Sequence, residues 1–414
     1  MQRTVRFVCS FLALAAAAFG ESHYVDSNAR IATDSGPGTR GRPWKSLAAV
    51  DSHTLKPGDS VYFARGSIYK GGFVVKDSGT AGEPITLTAY GAGAAPSFSN
   101  PDFNVLNGNV IQVKGSHIIV DGFYFHDGAA APSGRSGSVM RIGDVFVDKG
   151  SDHVVIRNSE VQNSPIGFNV HGEHSVITRN HLHDCNRFLR PPGWGPIAIF
   201  IGNANAEISY NRITNYVATG GAYGADGGAI EIDPRLYSVE ARDIRVHHNY
   251  SYGNQGFLEV TKATERINVS FNVSNDYQQF VFYWEGTNSV VENNTVLRVL
   301  PKNSVTDVVF SFKDPGNIIR NNIFVVGSKR QVFSDNGTQV YKKGDYAGQK
   351  RYNNIYFSLD GSQADPCGLP LGPGDRITDP RFVDYAKQDL HLKPDSPAIQ
   401  GKAPDVGAHE FRRK

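Results

Sequence analysis

Short runs in which β-branched or aromatic residues alternate with polar ones, closed by Asn, Asp or Gly, occupy most of the chain. That pattern predicts short, half-buried strands rather than helices. One version recurs as Val155-Ile156-Arg157-Asn158, Val176-Ile177-Thr178-Arg179-Asn180, Ile208-Ser209-Tyr210-Asn211 and Ile244-Arg245-Val246-His247-His248-Asn249. It continues through Ile267–Asn272, Val290–Asn294 and Ile318–Asn322 to a weaker copy at Tyr352-Asn353-Asn354. The asparagines Asn158, Asn180, Asn211, Asn249, Asn272, Asn294, Asn322 and Asn354 are separated by 22, 31, 38, 23, 22, 28 and 32 residues. A minimum of 22 with insertions suits one coil of a parallel β-solenoid, and a β-sandwich with Asn in its turns has no reason to repeat at that length. Asparagine suits the bend because it tolerates left-handed backbone geometry, and stacked copies can form a hydrogen-bonded ladder.

A second strand follows each Asn: Gly167–Val170, Ile197–Ile201, Ala229–Asp233, Phe257–Thr261, Phe280–Glu285 and Val308–Phe312. Alternation assigns Ile230, Ile232, Leu258, Val260, Phe282 and Trp284 to the interior. Glu231, Asp233, Glu259, Thr261, Tyr283 and Glu285 then point outward. Pro43–Val50 reads as a short amphipathic capping helix, and the segment from Asp379 to Phe411 as the opposite cap, because an open solenoid end exposes strand edges and core. The fold class expected is all-β, a single-domain right-handed parallel β-helix over residues 21–414.

Residues 1–20 stand apart. Arg3 and Arg6 precede the apolar run Phe7–Phe19, with small residues Ala18 and Gly20 before a cut near Gly20–Glu21. This reads as a secretory signal peptide, so the protein is expected to be secreted and extracellular. No later run is long enough to span a bilayer, so no membrane partner is expected. Without the leader, Lys+Arg falls from 42 to 40 against 40 Asp+Glu. A neutral chain lacks the basic face that nucleic-acid binding needs. With 11% aromatics and 20% charged residues the chain is not disordered. Cys185 and Cys367 remain after Cys9 leaves with the leader, and the sequence leaves open whether they pair.

The long spacings fall between Asn180 and Asn249, so loops there bulge from the stack, and such loops on a rigid scaffold carry function. They are Cys185–Gly195, with Arg187, Arg190 and Trp194, and Tyr216–Gly228, with Tyr223 and Asp226. Beside them, Glu231, Glu259 and Tyr283 are expected in one outward column and Asp233, Thr261 and Glu285 in the next, with Lys262 at a strand end. Acids stacked one coil apart repel unless one is protonated, bridged by a cation or paired with a lysine. A solvated, salt-bridged sheet face is the bland alternative. His171, His174, His181, His183, His247 and His248 show no zinc-motif spacing. His181 and His248 flank the ladder, and His183, beside the first insertion, is kept as a substrate-binding candidate. No metal ligands are expected, no cofactor is required, and calcium is left open.

The opening Gly36–Thr39, Pro43–Leu47, Pro57–Val61 and Ala81–Thr86, with the closing Asp405–Glu410, resembles secreted right-handed parallel β-helix enzymes that act on polysaccharides. Gly256–Lys262 followed by Tyr283–Gly286 is similar to alginate lyases of polysaccharide lyase families 31 and, more distantly, 6. The chain lacks an arginine one coil after Lys262, where family 6 places its acid, so family 31 is the better likeness. That resemblance implies β-elimination on a uronate polymer, alginate or poly-mannuronate first, by a monomer with an acidic polysaccharide as its partner. It gives Lys262 the lysine role and Tyr223 the tyrosine role, with Tyr283 second. Arg190, Arg187, Trp194, His183, Asp226, Glu231, Asp233, Glu259 and Glu285 would bind substrate. The rival on the same face is a glycoside hydrolase with paired carboxylates. A C5-epimerase or a non-catalytic carbohydrate binder comes third; the epimerase signature Asp-Pro-His is absent, since Arg235 follows Asp233-Pro234.

Overall fold

The computed structural model describes residues 20–132, 140–191, 193–222, 224–301, 308–312, 316–334, 343–399 and 407–408. The expected leader and Tyr223 lie outside the described residues. The chain is a right-handed parallel β-helix. Each coil contributes a strand to sheet I, sheet II and sheet III in turn, as in Val176–Thr178, His181–Cys185 and Ile197–Ile201. Sheets I and II each hold 12 strands and sheet III holds 9 among the described residues. The sequence pattern resolves only two strands per coil, because the sheet II strand follows the asparagine with almost no break.

The ladder forms, and its geometry differs from the expectation. Asn180 donates its side-chain amide to Ile156 O and to Asn211 Oδ1, which also accepts from Asn180 N, all at 3.0 Å. The same contacts link Asn211 to Asn249, Asn249 to Asn272, Asn272 to Asn294, Asn294 to Asn322 and Asn322 to Asn354, ending on Asp375. The left-handed residue is the one before each ladder position: Arg179, Tyr210, His248, Phe271, Asn293, Asn321 and Asn353 have φ between 54° and 58°. Asn158 is itself such a residue, at φ 52°, and Ser159 takes its ladder place. Burial of the amide explains the choice of Asn at the next position. It is the short side chain that both donates and accepts at a corner water does not reach.

One continuous core runs along the helix axis. A short helix, Leu47–Ser52, N-capped by Ser46, closes the N-terminal end with Leu47, Ala49, Val50 and Trp44 buried. Of the expected C-terminal cap, residues 379–399 and 407–408 are described. Its hairpin, Phe382–Asp384 against Asp389–Leu392, lies on the outer face of sheet II over Val273, Leu297, Ile323, Val325 and Ile355. Those outward positions are apolar and would otherwise be wet. Cys185 and Cys367 are buried free thiols.

Candidate active site

The outer face of sheet III carries the acids. Strand register aligns Phe200, Glu231, Glu259, Phe282 and Phe310 in one outward column. Backbone bonds from Asp233 N to Ile201 O, Thr261 N to Ile232 O and Trp284 N to Val260 O set Asp233, Thr261 and Trp284 in the next. The insertions fold over this face. Ala218–Gly221 pairs antiparallel with Gly224–Asp226, and Arg190 bridges antiparallel to Trp194. Asp226 joins the two, accepting from Gly195 N at 2.9 Å and Gly227 N at 2.8 Å. Position 195 must be glycine for this approach, since a Cβ there would stand 2.2 Å from the Asp226 carbonyl carbon.

Four carboxyls, Asp226, Glu231, Asp233 and Glu259, thus converge with one guanidinium. Asp233, fully buried, accepts from Arg235 N at 3.0 Å and from Nε at 2.8 and 2.7 Å, and also from Nη2, while capping the turn Pro234–Leu236. Its charge is compensated. Glu259 accepts a 2.6 Å hydrogen bond from Trp284 Nε1. Burial, opposed by the Trp284 bond and reinforced by the charges of Asp226 and Asp233, pushes its carboxyl up to about 7. Glu231 is 7% exposed, and burial followed by the Glu259 and Asp233 charges drives it well above the usual carboxylate range. Burial also raises Asp226, against its two backbone donors. The bond to Trp284 favours the ionised form of Glu259, so the proton of the Glu231–Glu259 pair resides on Glu231.

Aromatic rings flank the pair. The Phe282, Trp284, Phe310 and Phe312 rings pack with centroids 4.9 to 5.7 Å apart on one side. Towards the first insertion, the Arg190 guanidinium carbon lies 5.3 Å from the Trp194 ring centroid.

Several expected placements are corrected. Tyr283 is fully buried in the interior beside Val260, whereas Phe282 and Trp284 face outward. Phe280–Trp284 is apolar throughout, so alternation alone leaves its register undetermined by one residue, and one residue exchanges every face. Glu285 consequently leaves the Asp233 column and meets Lys262, with Nζ to Oε1 at 3.6 Å; the Lys262 side chain is 66% exposed. Arg187 donates to Asn163 O at 2.9 Å, in the connection between sheets II and III of the preceding coil. His183 belongs to sheet II, paired with Gln162 and Thr214, and does not share the carboxylate face. Arg190, Trp194, Asp226, Glu231, Asp233 and Glu259 are brought together. Trp284 and Arg235 are the contributors that sequence reasoning did not place. Asp-Pro ahead of Arg235 is a helix-start pattern that points to an N-capping Asp233.

Residues 111–296 match the family model described as a right-handed β-helix region. No curated protein sequence matches the chain. Among solved structures, the chain is similar to a XylC–xylose complex, with 12% identity over 87% of each chain and a TM-score of 0.53. It is also similar to a mannuronic acid specific polysaccharide family 6 lyase from human gut microbiota, 13% identical over 82% of this chain and 73% of that one, TM-score 0.53. A GH136 lacto-N-biosidase from Eubacterium ramulus is 13% identical over 87% of this chain and 67% of that one, TM-score 0.51. At these identities the likeness is one of fold, and that fold is the right-handed parallel β-helix.

Proposed function

We propose that the protein is a glycoside hydrolase that cleaves a polysaccharide through Glu231 and Glu259. The observation that carries this reading is the pair itself: two carboxyls on adjacent coils, both raised, one bonded so that it ionises first. The proton on Glu231 passes to the departing glycosidic oxygen. Ionised Glu259 then attacks or stabilises the anomeric carbon, and water supplies the hydroxyl that completes hydrolysis. Equivalent positions on adjacent coils are about 4.8 Å apart. That matches the roughly 5–5.5 Å of double displacement rather than the wider gap that admits a water, so retention of anomeric configuration is expected. Trp194 and the Phe282–Phe312 wall offer stacking surfaces for sugar rings. The carboxyls on this face outnumber the guanidiniums of Arg235 and Arg190, which favours a neutral glycan over the uronate polymer expected from the sequence. The leader-like first twenty residues support action outside the cell.

Elimination at a uronate is the second reading. Lys262 stands at the end of the Glu259 strand, and one of the structures of similar fold is a mannuronate lyase. Against it, Lys262 is largely exposed and ion-paired, and Tyr283 cannot reach a substrate from the interior. The test is incubation with xylan, galactan, poly-mannuronate, poly-guluronate, pectate and glucuronan, following reducing ends and near-ultraviolet absorbance together. Reducing ends without absorbance support hydrolysis. Absorbance rising in step marks an unsaturated uronate and overturns the proposal in favour of elimination; silence in both favours an epimerase or a binder.

A further inference from the structure

A second group of functional side chains stands on sheet II, remote from the carboxylates in the fold. Register sets His181 directly opposite Glu160, and His183, two residues on, projects from the same face. One potential ligand atom from each of Glu160, His181 and His183 lies within 4.8 Å of the other two. The two imidazoles stack with centroids 4.3 Å apart and planes inclined by 21°. His183 Nε2 faces Glu160 Oε1 at 3.0 Å, while its Nδ1 meets Asp184 Oδ2 at 2.8 Å. Asn215 Nδ2 holds the other Asp184 oxygen at 2.7 Å.

We propose that Glu160, His181 and His183 bind a divalent transition-metal ion of the zinc type, with Asp184 as the residue that orients His183. Zinc bonds of about 2.0–2.2 Å set tetrahedral ligand atoms roughly 3.3 Å apart, close to the His183–Glu160 separation and within small side-chain rotations for His181. A carboxylate on the far nitrogen of a ligating histidine fixes the tautomer that offers Nε2 to the metal, and Asp184 occupies that place. Two imidazoles and one carboxylate suit zinc, cobalt or nickel rather than calcium, which takes oxygen ligands.

Three protein ligands leave a fourth position open. Glu160 and His181 also line a depression of about 450 Å³ with Arg179 and Arg212. Those guanidiniums lie over Tyr210 and Tyr250, 5.5 and 4.7 Å from the ring centroids. Histidine spacing along the chain does not show such a site, because the third ligand comes from the preceding coil.

The test is titration of the tag-free full chain with Zn(II) by calorimetry and with Co(II) by visible absorbance. One zinc per chain, with tetrahedral-type cobalt bands lost in the H181A/H183A double variant, is the expected result. Asp184→Asn should weaken binding about 10–100-fold while the variant stays folded by circular dichroism. Glu231→Gln should bind zinc as the wild type does, which separates this site from the sheet III chemistry. Absence of binding up to about 1 mM overturns the proposal. Undiminished binding by the folded double variant places any metal elsewhere and overturns it equally.

Discussion

Glu259→Gln is the substitution whose consequence follows most directly from the structure. The amide keeps the shape of the carboxyl, and its oxygen can still accept the bond from Trp284 Nε1. What it removes is a carboxyl whose pKa stands at about 7 against an ordinary 4.5. A raised carboxyl stabilises the fold fully below its unfolded value, and that contribution is lost as pH rises through the folded value. Wild-type stability should therefore fall between about pH 5 and pH 8. The difference between 4.5 and about 7 corresponds to about 3 kcal/mol, an upper figure because Glu231 shares the same proton. Urea unfolding of both proteins from pH 5 to pH 9 reads it out. The midpoints should be closest at pH 5, and the variant should become progressively more stable between pH 5 and about pH 7, the difference levelling off above pH 8. The variant also relieves Glu231 of the neighbouring charge, so the gain should not be cancelled there. Parallel curves for the two proteins across this range would refute the claim that Glu259 is held in a strained ionised state.

Other expectations follow from the same structure. Asn249→Ala removes four side-chain contacts from the buried ladder, to Asn211 N and Nδ2, Ile208 O and Asn272 Oδ1. At about 1–3 kcal/mol for each group left unsatisfied it should cost at least about 3 kcal/mol in urea unfolding, and a loss below 1 kcal/mol would contradict the ladder's role. Gly195→Ala should push the Asp226 hairpin off the site, cutting turnover at least tenfold with thermal stability nearly unchanged; activity near wild type would show that Asp226 placement is immaterial. Proton NMR of the first product should show retained anomeric configuration, and inversion would mean the acting carboxyls are not the adjacent-coil pair.

The repeat was legible because each coil must satisfy the same corner, and a buried corner needs a side chain that donates and accepts in little space. Asn180, Asn211, Asn249, Asn272, Asn294, Asn322 and Asn354 report that need directly. The carboxylate face was legible for a similar reason: Glu231 and Glu259 break otherwise apolar strands, and breaks one coil apart become neighbours. Phe280–Trp284 offers no polar residue to fix its phase, so Tyr283 and Trp284 exchanged sides. His183 sits beside the first insertion in sequence, but a β-helix turns a corner every few residues, and nearness along the chain does not place two side chains on one face. The place of the C-terminal hairpin, Phe382–Asp384 against Asp389–Leu392, over sheet II was not legible. The outward apolar residues of sheet II that it covers are indistinguishable in sequence from core.

The most direct test of the account compares reducing-end release by Glu231→Gln, Glu259→Gln and Lys262→Met on whichever glycan the wild type cleaves. The Glu231–Glu259 account predicts a loss of at least about a thousandfold for each glutamate variant and less than tenfold for Lys262→Met, all three remaining folded. Loss of activity in Lys262→Met with either glutamate variant still active would contradict it and place the chemistry on the lysine.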